Sequence, residues 1–199
     1  ISGPTNIQSP QNVKLIKVKT ADEMLVQTNK YNKKIDVAVF CAAIADFKVK
    51  KMSNKKIKKD TLSTLKLIKN IDILKKISTQ KKNRPQFIVG FSAETDSKIL
   101  ARKKLEEKNC NMIIYNKISN KNKVFGLDEN KISIITKKKI VNYSKFSKLK
   151  CANLIIDSIK SLEKKFNKKI VTYVRKFEKF YKAEKYHQDY YVENFINYL

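Results

Sequence analysis

Ile35-Asp36-Val37-Ala38-Val39-Phe40 is apolar and β-branched apart from one aspartate, and it halts in three small residues, Cys41-Ala42-Ala43. A short apolar run of this kind reads as a strand buried on both faces of a parallel sheet. Open α/β sheets take their ligands at the carboxyl ends of their strands. The two alanines therefore fall where a ligand can lie against backbone, with Asp46 and Phe47 next in line. Lys55-Lys56-Ile57-Lys58-Lys59 follows, dense enough in ammonium groups to hold several phosphate oxygens. Taken alone, these residues also describe a plain core strand running into a solvated lysine loop.

The remaining periodicities belong to an α/β chain. Ser2-Gly3-Pro4-Thr5 reads as the tail of a strand turning into a loop, and Val13 to Val18 as a short strand. Thr20-Ala21-Asp22-Glu23 is a capping box opening a helix whose apolar face holds Met24, Leu25 and Val26. Leu62, Leu65, Leu67 and Ile68 indicate another strand, after which Asn70 caps a short helix from Ile71 to Ser78. Gln86 to Val89 and Met112 to Tyr115 are buried strands, separated by a helix over about Ser97 to Lys108. Val124-Phe125-Gly126 closes a polar loop. Lys131 to Ile135 and Lys139 to Tyr143 pair as a hairpin about Lys137-Lys138. Cys151, Ile155, Ile159 and Leu162 recur at helical spacing in a last helix from about Ser147 to Lys165.

Composition narrows the function classes. The chain has 199 residues, enough for one domain with a sizeable core and an appendage. No apolar run approaches the roughly 20 residues that cross a bilayer, and no stretch reads as a signal peptide. Three widely separated cysteines, Cys41, Cys110 and Cys151, fit neither a disulfide framework nor a zinc site, so a reducing cytoplasm is expected. The net charge of +27 raises nucleic-acid binding. Arg84, Arg102 and Arg175 are the only arginines among 45 basic residues, and the lysines run along the whole length. That distribution describes a solvated surface, whereas a nucleic-acid groove mixes in arginine and stacked aromatics.

Ala42-Ala43-Ile44-Ala45-Asp46-Phe47, followed by Lys56-Ile57-Lys58-Lys59, resembles the AAVADF…KIKK signature of bacterial phosphopantothenoylcysteine synthetase, the phosphopantothenate–cysteine ligase of coenzyme A biosynthesis. Other segments extend the resemblance. Gly90-Phe91-Ser92-Ala93-Glu94-Thr95 is similar to that family's GFAAET, and Ala101, Lys104, Leu105 and Lys108 keep its A-x-x-K-L-x-x-K pattern. Asn70-Ile71-Asp72-Ile73-Leu74 is similar to NPDIL with isoleucine in place of proline, and Ser2-Gly3-Pro4-Thr5 matches its SGPT.

The resemblance covers roughly residues 1 to 166. It implies a Rossmann-like, mostly parallel sheet with flanking helices, plus a carboxyl-terminal hairpin and helix. It also implies two strands and a serine/glycine loop ahead of Ile1, so that the domain is expected to be incomplete at its amino terminus. The implied reaction activates 4′-phosphopantothenate with CTP and Mg²⁺ as an acyl-cytidylate, which the amine of cysteine then captures. In that scheme Ala42 and Ala43 give close backbone approach to the nucleotide and Asp46 meets its polar edge. Lys56 binds the nucleotide and stabilises charge as the acyl-cytidylate forms, Lys104 and Lys108 hold phosphates, and Phe91 packs on the base. Asn116 contacts substrate. No metal-ligating residue is assigned. A homodimer and a fused or paired flavin-dependent decarboxylase are further implications, with no nucleic acid and no membrane among the partners.

Residues 167–199 change character. The segment is rich in tyrosine and holds the only histidine, His187. Lys179-Phe180-Tyr181-Lys182-Ala183-Glu184-Lys185-Tyr186-His187-Gln188-Asp189-Tyr190 resembles the carboxyl-terminal tail of peptide-methionine sulfoxide reductase, FYPAEDYHQQY. That family attacks its sulfoxide with a thiolate from a GCFW motif, which this chain lacks. Two other readings therefore stand beside the ligase: an inactive CTP-binding fragment, and a sulfoxide-reductase relative.

Overall fold

A computed structural model describes residues 1–5, 9–51, 64–94, 98–118 and 127–162. They divide into two compact units, residues 1–35 with 41–85, and residues 36–40 with those from Gln86 onward. The loop around Val124-Phe125-Gly126 and the tyrosine-rich segment 167–199 lie outside the described residues.

The second unit is built on a five-stranded sheet. Its strands are β1 (Val37–Phe40), β4 (Phe87–Glu94), β5 (Met112–Lys117), β6 (Glu129–Thr136) and β7 (Ile140–Ser147), in the order β1-β4-β5-β6-β7. β1, β4 and β5 are parallel, with Val39 opposite Val89 and Phe91 opposite Ile114. β6 runs antiparallel to β5, and β7 antiparallel to β6, so four of the five strands point the same way. This is the expected Rossmann-like, mostly parallel sheet closed by a hairpin. The hairpin is longer than its apolar residues indicated, because polar positions such as Asn130 and Lys145 continue the ladder.

Two helices flank the sheet. Helix α3 (Lys98–Glu107) packs on β4, β5 and β6, burying Ala101 and Leu105. Its end has a Schellman geometry: Asn109 is left-handed at φ 45°, Cys110 N–H reaches the Leu105 carbonyl and Asn109 N–H the Glu106 carbonyl, both at 3.0 Å. Helix α4 (Lys148–Ser161) lies against β6 and β7, and its Cys151, Ile155 and Ile159 join Phe87, Val89, Met112, Ile114, Ile132 and Ile134 in one apolar cluster. Ser147 caps α4 by accepting the Lys150 N–H at 3.2 Å.

One expectation is corrected here. β1 is not buried on both faces: Ala38 is buried, but Val39 is 48% exposed. Val39 shares a face with Val89, and the helix on that face, α4, packs on β6 and β7 at the other end of the sheet.

The first unit holds α1 (Ala21–Tyr31), a 3₁₀ turn at Asn32–Lys34, β2 (Phe47–Val49), β3 (Leu67–Lys69) and α2 (Ile73–Ser78). The capping box is present in altered form. Thr20 Oγ1 accepts the Glu23 N–H at 3.1 Å, while Glu23 reaches back to the N–H of Lys19 at 2.8 Å rather than to that of Thr20. α1 and α2 are tied by amides: Asn32 Nδ2 donates to Gln80 Oε1 at 3.2 Å, and Gln80 Nε2 to Asn29 Oδ1 at 2.8 Å.

Of three further expectations, one forms over its described residues and two differ. Val13 to Val18 makes no strand; only Lys17 bridges Ser2, in parallel. With a lysine at every second or third position, the segment has too little apolar surface to hold a longer ladder. The strand expected near Leu62–Ile68 is β3, which pairs antiparallel with β2 in a separate two-stranded ribbon and leaves Leu67 and Ile68 exposed. Finally, Asp72, not Asn70, caps α2, accepting the Lys75 N–H at 2.9 Å.

Ile114 has no exposed surface and belongs to the cluster between the sheet and α4. Ile114→Ala is expected to destabilise the protein by about 2–5 kcal/mol, read as a lower midpoint at unchanged slope in urea unfolding.

Candidate functional site

Chemistry-bearing residues collect where β4 and β5 end. Side chains alternate along a strand, so Phe87, Val89 and Phe91 share one face of β4, and Ile88, Ser92 and Glu94 the other. Register carries that division across the sheet. Ala93 stands opposite Asn116, which puts Asn116 on the face of Phe91 and the α4 cluster. Ser92 and Glu94 lie on the face that α3 covers.

On the α3 face, the carboxylate of Glu94 accepts from Ser92 Oγ at 2.9 Å and is ion-paired with the Lys104 ammonium. Lys104 projects from the second turn of α3, and the Glu94 side chain is 20% exposed against 37% for Lys104. Partial burial pushes the Glu94 carboxyl up, but hydrogen bonds from Lys104 and Ser92 and the charges of Lys104 and Lys108 outweigh it, leaving the group below its usual value. The Ser92–Glu94–Lys104 chain thus keeps an ionised carboxylate and an ordered ammonium side by side. Lys108, one turn further on, adds positive charge to the same face.

On the opposite face, Phe91 is half-buried and packs against the α4 cluster. Asn116 is 5% exposed, and its Oδ1 accepts from Asn130 Nδ2 at 3.0 Å. Asn130 Oδ1 is buried with no partner among the described residues.

In the first unit, Ala42, Ala43 and Asp46 are exposed in the loop between β1 and β2, as is Cys41. The end of that loop is held from β3. Asn70 N–H donates to the Asp46 carbonyl at 2.7 Å, and Asn70 Nδ2 to the Ala45 carbonyl at 2.8 Å. Lys56 lies outside the described residues. Among the described residues no three His, Cys, Asp or Glu side chains gather as a metal site, and no helix is long and apolar enough to cross a membrane. Glu94 is already committed to Lys104 and Ser92, so this carboxylate is not free to hold a Mg²⁺.

The sequence reading of this site left Ser92, Glu94 and Asn130 without roles. The i, i+2 spacing of Ser92 and Glu94 on a strand was the available signal for the first two. Nothing local marks Asn130, whose partner is fourteen residues away in the chain.

The cysteines also bear on chemistry. Cys110 and Cys151 are buried, and burial pushes the Cys151 thiol up despite a backbone hydrogen bond that favours its thiolate. Such a thiol is a poor nucleophile at neutral pH.

Because Glu94 titrates below its unfolded value, its contribution to stability is present above the ordinary glutamate range and is lost as pH falls through the folded midpoint. Carbon-detected NMR titration is expected to place the Glu94 midpoint below that of an exposed glutamate. Lys104→Met is expected to move the midpoint upward, since burial then acts with less opposition.

Comparison with known proteins identifies the family. The profile of the DNA/pantothenate metabolism flavoprotein C-terminal domain matches residues 1–162. The coenzyme A biosynthesis bifunctional protein CoaBC of Borreliella burgdorferi is 39% identical over 160 residues, covering 78% of this chain and 40% of that protein. CoaBC of Haemophilus influenzae is 39% identical over 162 residues, covering 80% and 40%. The chain therefore spans about two fifths of the length of these relatives. Among solved structures, a crystal structure of the C-terminal domain of CoaBC superposes with a TM-score of 0.66 at 27% identity, over 82% of this chain and 72% of that one. The DNA/pantothenate metabolism flavoprotein of Streptococcus pneumoniae, at 18% identity and a TM-score of 0.59 over 77% of this chain and 75% of that one, shares the fold. A second profile, peptide methionine sulfoxide reductase, matches residues 137–199. Its described part, up to Leu162, contains β7 and α4, and its one cysteine is the buried Cys151. The sheet, its closing hairpin and the match across residues 1–162 together make this chain a member of the DNA/pantothenate metabolism flavoprotein C-terminal domain family.

Proposed function

We propose that the chain carries the phosphopantothenate–cysteine ligase chemistry of coenzyme A biosynthesis. The observation that carries this reading is the family match over residues 1–162, within which Ala42–Phe47, Gly90–Thr95 and the Lys104/Lys108 pair all keep the ligase pattern. Joining a carboxylate to an amine in water requires an activated acid. The carboxylate of 4′-phosphopantothenate attacks the α-phosphorus of CTP, and the bond to pyrophosphate breaks. The cysteine amine then attacks the acyl carbon of the cytidylate, an amide forms, CMP leaves, and the amine proton passes to solvent.

Nucleotidyl transfer of this type depends on positioning and charge neutralisation more than on a protein nucleophile. Ala42 and Ala43, lacking bulk, admit the nucleoside to the backbone, and Asp46 accepts hydrogen bonds from its polar edge. Phe91 offers the exposed part of its ring to the base. Lys104 and Lys108 face phosphate oxygens, and the ion pair with Glu94 holds the Lys104 side chain in place. Lys56 neutralises the charge that grows as the acyl-cytidylate forms. Asn116 donates to an acceptor oxygen of the acid substrate. Mg²⁺ enters with the triphosphate as part of the substrate, which suits a cation that keeps its waters and prefers phosphate oxygens.

The protein works in the cytoplasm as a homodimer in this reading, alongside a flavin-dependent decarboxylase that supplies the second activity of the bifunctional relatives. Sulfoxide reduction is disfavoured, because the cysteine within the matched segment 137–199 is buried with its thiol pushed up.

Isothermal titration of this chain is expected to show CTP binding about tenfold or more tighter than ATP, a difference of roughly 1.4 kcal/mol. Equal affinities, or no binding, would overturn the assignment. In a full-length version of this enzyme, Lys56→Gln is expected to slow single-turnover pyrophosphate release by about 10²-fold or more. An undiminished rate removes Lys56 from the mechanism.

A further inference from the structure

The loop Ala42–Asp46 has no secondary structure of its own, yet Asp46 is asked to present its carboxylate in one direction. The bonds that hold it come from a single residue. Asn70 follows the last residue of β3, and its N–H donates to the Asp46 carbonyl at 2.7 Å, which continues the β2–β3 ladder by one rung past the Phe47–Lys69 pair. Its side chain then adds a rung that backbone alone could not supply, Nδ2 to the Ala45 carbonyl at 2.8 Å.

Those two carbonyls belong to successive peptide planes. The Ala45 carbonyl and the Asp46 N–H share one rigid plane, and the Asp46 carbonyl lies in the next. Holding both planes fixes φ and ψ of Asp46, and with them the direction in which its side chain leaves the backbone. The amide's own orientation is settled by the same contact. Turned over, Asn70 would set Oδ1 against the Ala45 carbonyl, acceptor against acceptor. Oδ1 is buried without a partner among the described residues, so the side chain serves through its nitrogen alone.

We propose that Asn70 is a positioning residue for nucleotide binding: it clamps both peptide planes around Asp46 and so aims the Asp46 carboxylate at the nucleoside. This rests on the reading that Asp46 meets the nucleotide, and it adds the residue that makes Asp46 effective. Asn70 itself need not touch the ligand. Its position just before the α2 cap gives it the look of a capping residue, a task that Asp72 performs.

The test separates the clamp from its consequence. Two variants remove the donor, Asn70→Ala, and Asn70→Asp, which keeps the shape but sets a carboxylate oxygen against the carbonyl. In the ligand-free protein, hydrogen exchange at the residue-70 N–H is expected to speed up about tenfold, the size of one net hydrogen bond, while exchange within the five-stranded sheet stays unchanged. Unaltered exchange at residue 70 in both variants overturns the clamp. Titration with CTP is expected to show about tenfold weaker binding for both variants in the parent background, and no further loss when either is combined with Asp46→Ala. Losses that add in the double variants show that Asn70 does not act through Asp46, and overturn the proposal. A parent chain that binds no CTP fails in a different way: it removes the ligase reading, and the nucleotide role of Asn70 with it, whatever the exchange data show about the clamp.

Discussion

Two adjacent strands, β4 and β5, carry the second unit. Ile88 and Val89 on one and Ile113 and Ile114 on the other point to opposite faces, and all are essentially without exposed surface. A pair buried on both faces has no tolerance for a shift of one residue, because every apolar side chain would exchange faces with its neighbour. α3 and α4 must therefore each cover a face, and polar groups are confined to the strand ends. Ser92, Glu94 and Asn116 sit at that limit, where the apolar layer stops and hydrogen-bonding side chains begin. The chemistry of this unit follows from where its core runs out.

Electrostatics at that limit is local rather than global. A net charge of +27 describes the whole surface, but the ordered part of the second unit's site is a balanced pair, Glu94 with Lys104. An ammonium held by a carboxylate loses less freedom on meeting a phosphate than one swinging in water. Lys108 adds positive charge beside it. The surplus of lysine elsewhere contributes solubility and a long-range attraction for anions that salt weakens.

Much of the fold was readable in the residues because its strongest elements are locally determined. The buried strands at Phe87 and Met112, the helix bearing Ala101 and Leu105, and the hairpin about Lys137-Lys138 all declared themselves by period and apolar content. Errors fell where neighbours decide. β1 has the composition of a central strand but stands at an edge among the described residues, since an apolar run does not say how many partners it will find. Asn70 and Asp72 are two residues apart and both are competent caps; the geometry of the ribbon claims the first, leaving the helix to the second. At the site, motif residues could be named from spacing, whereas the bonds from Glu94 to Lys104 and from Asn130 to Asn116 depend on how helix and strands meet.

The order of strands also sets a tempo for assembly. Ile135 and Ile140 meet across a short turn, and α4 begins directly after β7, so this half of the sheet forms from contacts that the chain reaches early. Val37 and Phe87 are fifty positions apart, and their pairing closes a large loop for a strand of four residues. Loop entropy makes that contact the costlier one to close, so β1 is expected to join the sheet after the hairpin has formed. The loop of alanines is then expected to gain its β1 anchor later than the hairpin gains its turn.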